Sequence, residues 1–212
     1  MTTPFDSSNA GAPGHYAPSQ TALLLCDFHS FLTNRIGGSD TPVVNTAASL
    51  RNWALSHGIV VIHNLIDKSS TPSLTAKDAG RLRSAIANLT AEGNAEPSKL
   101  TEPKPAGEGK ELTFTRQIGH VSALKSPGML ESLEERGIKS LLVTGISTSG
   151  CVLRTAMAGC DADFVITVVE DGCADPTEGA HEFVVKKLLP NRGWVCTAKE
   201  VMNGFESVKS GR

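Results

Sequence analysis

Short apolar runs rich in β-branched residues alternate with segments of helical periodicity along most of this chain. The helical segments are residues 42–56, 127–135, 149–161 and 177–189, with a further one at residues 74–92. The apolar runs are residues 21–27, 59–64, 111–116, 140–145, 163–171 and 194–197. Strands that alternate with helices predict βαβ units and a parallel sheet. We therefore expect one α/β domain over residues 21–212, with six strands and helices on both faces of the sheet.

Two segments lack this alternation. Residues 1–20 contain three prolines, many small polar residues and almost no charge, which predicts a flexible N-terminal arm. Residues 93–110 combine prolines with glycines, which predicts a loop or flap. We expect this loop and residues 66–75 to set the specificity of any pocket.

Composition excludes several classes of partner. The net charge of -2 lacks the positive field that nucleic-acid binding usually needs. No apolar run approaches the roughly 18 residues of a membrane span, and the N-terminus has no basic and apolar export signal. The five cysteines are an odd number without CxxC spacing, which argues against a disulfide framework. We expect reduced thiols, a cytoplasmic location and a small-molecule partner.

Ligands of open parallel sheets bind beyond the carboxyl ends of the strands, where the strand order reverses. Asp27 lies at such an end, directly after the apolar run LLLC. A carboxylate at the end of a buried strand needs an opposite charge or hydrogen-bond donors beside it. Asp27 is therefore either a functional carboxylate or a helix cap or salt-bridge residue, and its position alone does not decide between them.

Cys151 follows the strand SLLVTG and the small-residue turn ISTSG, where a helix is predicted to begin. The helix dipole favours thiolate there, and free backbone N–H groups can bind an oxyanion. Lowering the pKa of a thiol by two units takes about 2.7 kcal/mol. A helix terminus supplies about 1 kcal/mol, so a nearby cation must supply the rest. The alternative is that Cys151 is a small core residue, which is the commoner role of a lone cysteine.

Candidates for the cation or base lie in the segment ELTFTRQIGH. Arg116 can act electrostatically but cannot exchange protons at neutral pH, whereas His120 can. A surface ion pair and a loop histidine are the alternatives. His29 and His63 form no HxxxH or HExxH motif, and no glycine pattern matches a nucleotide-binding loop, so we expect no metal and no cofactor. His29, Phe31 and Cys173 are candidates to line the substrate pocket.

The stretches LLLCDFHSFLTN and LLVTGISTSGCVLRTAMAGCDADFVITVVEDGCAD resemble the isochorismatase-like cysteine hydrolases, and the resemblance extends from Thr21 to Val201. It implies a doubly wound, Rossmann-like sheet of strand order 3-2-1-4-5-6 with Asp27 and Cys151 on neighbouring strand ends. It also implies that Asp27, a lysine and Cys151 are catalytic. The N–H groups of Ser147 and Cys151 would form an oxyanion hole after a cis Ile146–Ser147 bond. Homo-oligomerisation, as a dimer or tetramer, is implied in the same way.

This sequence departs from the family pattern at the lysine. The strand that should end in lysine ends in Arg116, and Ser122-Ala123-Leu124 supplies the segment that follows. Counting back from Ser122 could instead place Ile118 or His120 at that position.

The resemblance also narrows the substrate. HNLID lacks the Asp-x-His metal motif of nicotinamidase relatives, and members that act on isochorismate lack the nucleophilic cysteine. It therefore implies a cysteine-dependent hydrolase of an amide, imide, carbamoyl or ester carbonyl, acting through a thioester. The alternatives are a catalytically impaired binding protein and, disfavoured by the missing CxxC, a thiol redox protein.

Overall fold

The computed structural model describes residues 3–102 and 109–210. Its strands are β1 (Thr21–Cys26), β2 (Val60–Asp67), β3 (Glu111–Gln117), β4 (Ser140–Ile146), β5 (Val165–Ala174) and β6 (Trp194–Cys196). They form one sheet in the order β3-β2-β1-β4-β5-β6, and every neighbouring pair is parallel. The predicted parallel sheet and its strand order are confirmed.

Helices connect the strands. They are α1 (Ser30–Thr33), α2 (Pro42–Ser56), α3 (Ala79–Ala87), α4 (Ala91–Asn94), α5 (Ser98–Thr101), α6 (Met129–Glu135), α7 (Leu153–Asp161), α8 (Ala180–Phe183) and α9 (Ala198–Ser210). Helix α2 begins at Pro42, where proline lacks only an N–H that the first turn would leave unpaired. No helix in the described ranges has the length and apolar character needed to cross a membrane.

Several predicted helices differ from the structure in length or type. The segment 149–161 is a π-helical turn at Thr148–Val152 followed by α7, because periodicity does not separate two helix types with similar repeats. The segment 177–189 is divided into α8, a second π-helical turn at Val184–Leu188 and a 3₁₀ turn at Leu189–Asn191. The predicted helix at 74–92 is shorter, and the predicted loop at 93–110 contains α5. Its residues 103–108 lie outside the described residues.

Alternate residues of the strands bury into opposite faces of the sheet, since successive side chains of a strand point in opposite directions. Leu24 and Val143 belong to the core beneath α6 and α7. Leu23 and Leu142 belong to the core beneath α2 and α9. All residues of β1 and β4 are buried because helices cover both faces, as is typical of parallel sheets.

The N-terminal segment lies against the domain, although its composition predicts a flexible arm. The ring of Phe5 packs edge to face on Phe205 of α9, with centroids 5.8 Å apart. Trp194 Nε1 donates to the carbonyl of Gly11 at 2.7 Å, and Ala12 is fully buried. These few apolar and backbone contacts hold the N-terminal segment against the domain. The amino-acid composition of the whole segment does not reveal them, because they involve only a few of its residues.

Candidate active site

The candidate site lies at the carboxyl ends of the strands, where the strand order reverses between β1 and β4. Asp27 follows β1, and the turn carrying Ser147 and Cys151 follows β4. Arg116 is the penultimate residue of β3. These four residues and His120 line one cavity of about 360 Å³. The structure therefore brings together the residues that the sequence nominates for catalysis.

Asp27 and Arg116, which line this cavity, form a buried ion pair. Arg116 Nη1 donates to Asp27 Oδ1 at 2.7 Å, and Nη2 donates to Oδ2 at 2.5 Å. The side chains are only 5% and 2% exposed, respectively. Burial lowers the pKa of Arg116, but its hydrogen bond to Asp27 and the charge of Asp27 raise it further, so the net shift is upward. The guanidinium is thus a permanent cation that occupies both carboxylate oxygens.

The remaining donors of Arg116 fix its position. Nη1 also donates to Asn64 Oδ1 at 2.8 Å, and Nε donates to the carbonyl of His120 at 2.9 Å. Asn64 is itself held by its amide, which donates to Ser126 Oγ at 2.7 Å. Asn64 is not among the site residues predicted from the sequence, where its signal is a polar side chain in the otherwise apolar run IVVIHN. His120 contributes its backbone carbonyl here, while the residue is exposed at the cavity rim.

The backbone at Asp27 is unusual. Its φ of 59° lies in the left-handed region, which few residues other than glycine adopt. The N–H of Asp27 donates to the carbonyl of Asn64 at 2.9 Å, so β1 remains paired with β2 up to this residue. A conformation of this kind costs about 1 to 3 kcal/mol and persists mainly where surrounding structure imposes it. The residue in this conformation is the one whose carboxylate binds Arg116.

Cys151 is the fourth residue of the π-helical turn and is 4% exposed. Its Sγ lies 3.8 Å from the carbonyl oxygen of Ile146. The pKa of the thiol is raised by a hydrogen bond with Cys26, by burial and by the charge of Asp27, and Arg116 lowers it less. This upward shift is opposite to the one that the position of Cys151 after β4 predicts. Its first cause is the hydrogen bond with Cys26, and burial and the charge of Asp27 add to it.

The turn before Cys151 is closely packed. The Ile146–Ser147 peptide bond is cis, as the resemblance implies. A Cβ on Gly145 would lie 2.4 Å from the carbonyl oxygen of Cys26, so only glycine fits there. Ser149 donates through its N–H and hydroxyl to Asp175 Oδ2, at 2.8 and 2.6 Å. These contacts hold the turn against β1 and β5.

The lining of the cavity is mainly apolar. Phe31 and Leu32 of α1, Leu82 of α3, and Ile118 and Val121 after β3 contribute to it. The predicted pocket residue Phe31 is thus in the lining. Lys68, one residue beyond β2, is an exposed residue that also lines the cavity. Lys68 lies in the segment 66–75, which was predicted to contribute to pocket specificity, but it is not among the site residues predicted from the sequence.

Two predicted pocket residues lie elsewhere. His29 is fully buried and absent from the cavity wall. Its Nε2 accepts the N–H of Ile66 at 2.9 Å, so Nδ1 carries the proton and donates to the carbonyl of Asn94 at 2.7 Å. Cys173 is a buried residue of β5 with Sγ 3.9 Å from the carbonyl of Val143, and burial raises its pKa strongly. Both pocket predictions are wrong, because these side chains point into packed regions.

His63 belongs to a separate polar cluster. Its Nδ1 lies 2.9 Å from both carboxylate oxygens of Glu96, and its Nε2 lies 2.9 Å from Glu111 Oε1. Arg51 binds the same Glu111 carboxylate. Burial lowers the pKa of His63, but hydrogen bonds and charges from Glu96 and Glu111 raise it further, so the net shift is upward. Within residues 3–102 and 109–210, no group of three or more His, Cys, Asp or Glu could hold a metal ion.

Comparison with known proteins agrees with this geometry. The family model of the isochorismatase domain matches residues 21–200. Ureidoacrylate amidohydrolase RutB of Acinetobacter baylyi is 25% identical over 216 residues, covering 90% of this chain and 85% of the relative. Maleamate amidohydrolase of Pseudomonas putida is 24% identical over 185 residues, covering 85% of this chain and 84% of the relative.

A solved structure shows the same fold. An isochorismatase family protein from Burkholderia thailandensis superposes with a TM-score of 0.72 at 21% identity, covering 89% of this chain and 96% of that one. The fold and the family match over residues 21–200 agree. This chain belongs to the isochorismatase-like hydrolase family.

Proposed function

We propose that this protein is a cysteine-dependent amidohydrolase of a small compound, acting at a carbon–nitrogen bond other than a peptide bond. The observation that carries the proposal is the convergence of Cys151, Asp27, Arg116 and Ser147 on one cavity. Two similar proteins are amidohydrolases, of ureidoacrylate and of maleamate. An amide carbonyl is an electrophile that a cysteine can attack.

The first step requires the thiol of Cys151 to lose its proton. A neutral thiol is a weak nucleophile, so proton removal must accompany attack. Asp27 is the proposed base, and each of its oxygens retains a lone pair beyond the one that Arg116 occupies. The Cys151 sulfur then bonds to the amide carbon, the carbonyl π electrons move to oxygen, and the thiol proton passes to Asp27. The N–H groups of Ser147 and Cys151 would stabilise this oxyanion.

The second step releases the amine and then the acid. The oxyanion collapses to a thioester, the carbon–nitrogen bond breaks, and the leaving nitrogen takes the proton from Asp27. Water then attacks the thioester with Asp27 as base, and the sulfur leaves as the protonated thiol. Arg116 touches both Asp27 oxygens throughout, so its role is to hold the carboxylate and its charge in place. Lysine could not hold both oxygens in this planar, two-point geometry.

The same contact supports a second candidate function. Arg116 binds both oxygens of Asp27, which a family-type lysine would do at fewer points, so fewer lone pairs of Asp27 are left for the proton of Cys151. A protein with this arrangement could bind small amides without turning them over. The second candidate is therefore a binding protein that retains the pocket.

Ammonia release from a panel of primary aliphatic amides and carbamoyl compounds tests the proposal. Cys151→Ser should abolish release, and Asp27→Asn should reduce it by at least about 100-fold, the usual scale for a general base. Cys160→Ser is the matched control, because Cys160 is half-buried and absent from the cavity. Full turnover by Cys151→Ser would contradict the mechanism. Thermal stabilisation by a panel amide without turnover of any member would favour the binding protein.

A further inference from the structure

We propose that Glu96 is a positioning residue for the active site, because its ion pair with His63 anchors a chain segment that lines the cavity. This wall segment is residues 89–96, which includes α4. Leu89 and Asn94 of the wall segment line the cavity. The inference takes that cavity as the reaction site and in this respect rests on the proposed function.

Two hydrogen bonds join the end of the wall segment to the start of α1. The backbone N–H of Ser30 donates to the carbonyl of Ala95 at 2.7 Å. The buried His29 donates through Nδ1 to the carbonyl of Asn94, also at 2.7 Å. Both contacts are made by backbone carbonyls, so they place the main chain of the wall segment beside the residues that follow β1.

Glu96 ties the same segment to the middle of β2. Both of its carboxylate oxygens lie 2.9 Å from His63 Nδ1. The side chains of His63 and Glu96 are only 6% and 7% exposed, so water cannot replace the contact. Only Ala95 separates Glu96 from the cavity-lining Asn94. Release of the carboxylate should therefore loosen the wall of the cavity as well.

The charges around His63 make Glu96 dependent on it. On the other side of the ring, His63 Nε2 lies 2.9 Å from Glu111 of β3, and Arg51 of α2 binds the same Glu111 carboxylate. Among the ion pairs of residues 3–102 and 109–210, Glu96 has His63 as its single partner. A small cavity of about 290 Å³ beside this cluster is otherwise lined by uncharged residues, namely Leu100, Thr101 and Thr113.

The anchor consequently depends on the proton of His63. The raised pKa of His63 keeps the ring protonated below about pH 6.5, and the ion pair weakens as the pH rises through the raised pKa. A neutral ring leaves the buried Glu96 carboxylate without an opposite charge, which is unfavourable. We therefore expect the wall segment to be held most firmly at low pH.

Hydrogen–deuterium exchange of a peptide that covers residues 90–102 measures the anchor without a substrate. Rates are corrected for the intrinsic pH dependence of exchange, and a peptide from β4 is the internal reference. In the unsubstituted protein, local opening of the 90–102 peptide should rise at least about fivefold between pH 6 and 9. Glu96→Gln should raise opening at pH 6 at least about tenfold, because it removes the charge that balances buried His63. Glu96→Asp keeps that charge and should restore part of the protection.

Asp40→Asn is the matched control, because Asp40 binds Lys99 of the adjacent α5 in an exposed ion pair, at 2.6 Å. The substitution removes a carboxylate in the same way, but exposed ion pairs contribute little. Exchange of the 90–102 peptide should stay within about twofold of the unsubstituted protein at both pH values.

Alkylation of Cys151 by iodoacetamide, followed on its own peptide by mass analysis, tests whether the anchor acts on the site. Cys151 is 4% exposed, so a looser wall should speed the reaction. The rate in Glu96→Gln is divided by the rate in the unsubstituted protein at the same pH, which removes the pH dependence of the thiol itself. This ratio should be at least about five at pH 6 and should approach one at pH 9.

Three results would each overturn the inference. They are unchanged exchange in Glu96→Gln, exchange in the unsubstituted protein that does not vary with pH after correction, and an alkylation ratio of one at pH 6. Ammonia release by the unsubstituted protein is a separate readout. Its absence, with the exchange and alkylation results as expected, would contradict the proposed hydrolysis and not the role of Glu96.

Discussion

Replacing Arg116 by methionine tests whether the buried ion pair stabilises the fold as well as the site. The side chains of Arg116 and Asp27 are 2% and 5% exposed, so water cannot take over the missing contacts. The substitution removes two hydrogen bonds to Asp27, one to Asn64 and one to the carbonyl of His120. Breaking a buried pair from one side leaves an uncompensated charge and costs about 3 to 5 kcal/mol.

Urea unfolding at pH 7 measures this loss of unfolding free energy directly. In thermal unfolding of a chain of this size, 1 kcal/mol shifts Tm by about 2 to 4 °C. We therefore expect Arg116→Met to lower Tm by about 6 to 20 °C. Arg116→Lys keeps the positive charge and should cost less, about 1 to 3 kcal/mol.

The double variant Asp27→Asn/Arg116→Met removes both charges. Its destabilisation should be smaller than the sum of the two single effects, by at least about 1 kcal/mol, because the residues touch. Two results would refute the view that the two residues stabilise each other. One is a loss of less than about 1 kcal/mol of unfolding free energy in Arg116→Met, and the other is a double variant whose loss equals the sum of the two single losses.

Three further predictions concern other parts of the molecule. The raised pKa of His63 implies that its ion pairs stabilise the fold fully below about pH 6.5, and less as the pH rises through the raised pKa. The unsubstituted protein should therefore have a higher Tm than His63→Gln, by an amount that shrinks between pH 6 and 9. A Tm difference that stays constant over this range would contradict the prediction. Gly145→Ala places a Cβ 2.4 Å from the Cys26 carbonyl oxygen and should lower the free energy of unfolding in urea by at least about 2 kcal/mol. An unchanged free energy of unfolding would show that this position can accept a side chain. Phe5→Ala should cost about 1 to 3 kcal/mol by loss of packing on Phe205, and an unchanged urea midpoint would show that the arm adds nothing.

The sheet could be predicted because each strand is an apolar run of the right length between helical segments. The position of Cys151 after β4 followed from the same reasoning. The raised pKa of its thiol did not, because it depends on Cys26 and Asp27, which the fold brings to it from another strand. His29 shows the same limit. A histidine two residues after a catalytic candidate gives no sign that its ring nitrogens join Ile66 to Asn94.

The contact of Arg116 with both oxygens of Asp27 could not be predicted from the sequence either. Asp27 and Arg116 lie 89 residues apart, and their two-point contact requires β1, β2 and β3 to be adjacent in that order. The sequence could nominate both residues from their places at strand ends. It could not show that the arginine binds the carboxylate, nor that Asn64 and the His120 carbonyl position that arginine.

Cys151 is the residue that we propose forms the covalent intermediate. Peptide mass analysis after brief exposure to 4-nitrophenyl acetate and acid quenching tests it, since the activated ester accumulates an acyl-enzyme more readily than an amide does. We predict one acetyl group on the peptide that contains Cys151, present in the Cys160→Ser control and absent from Cys151→Ala. Acetylation confined to other residues, or an equal nitrophenolate burst from Cys151→Ala, would contradict the account.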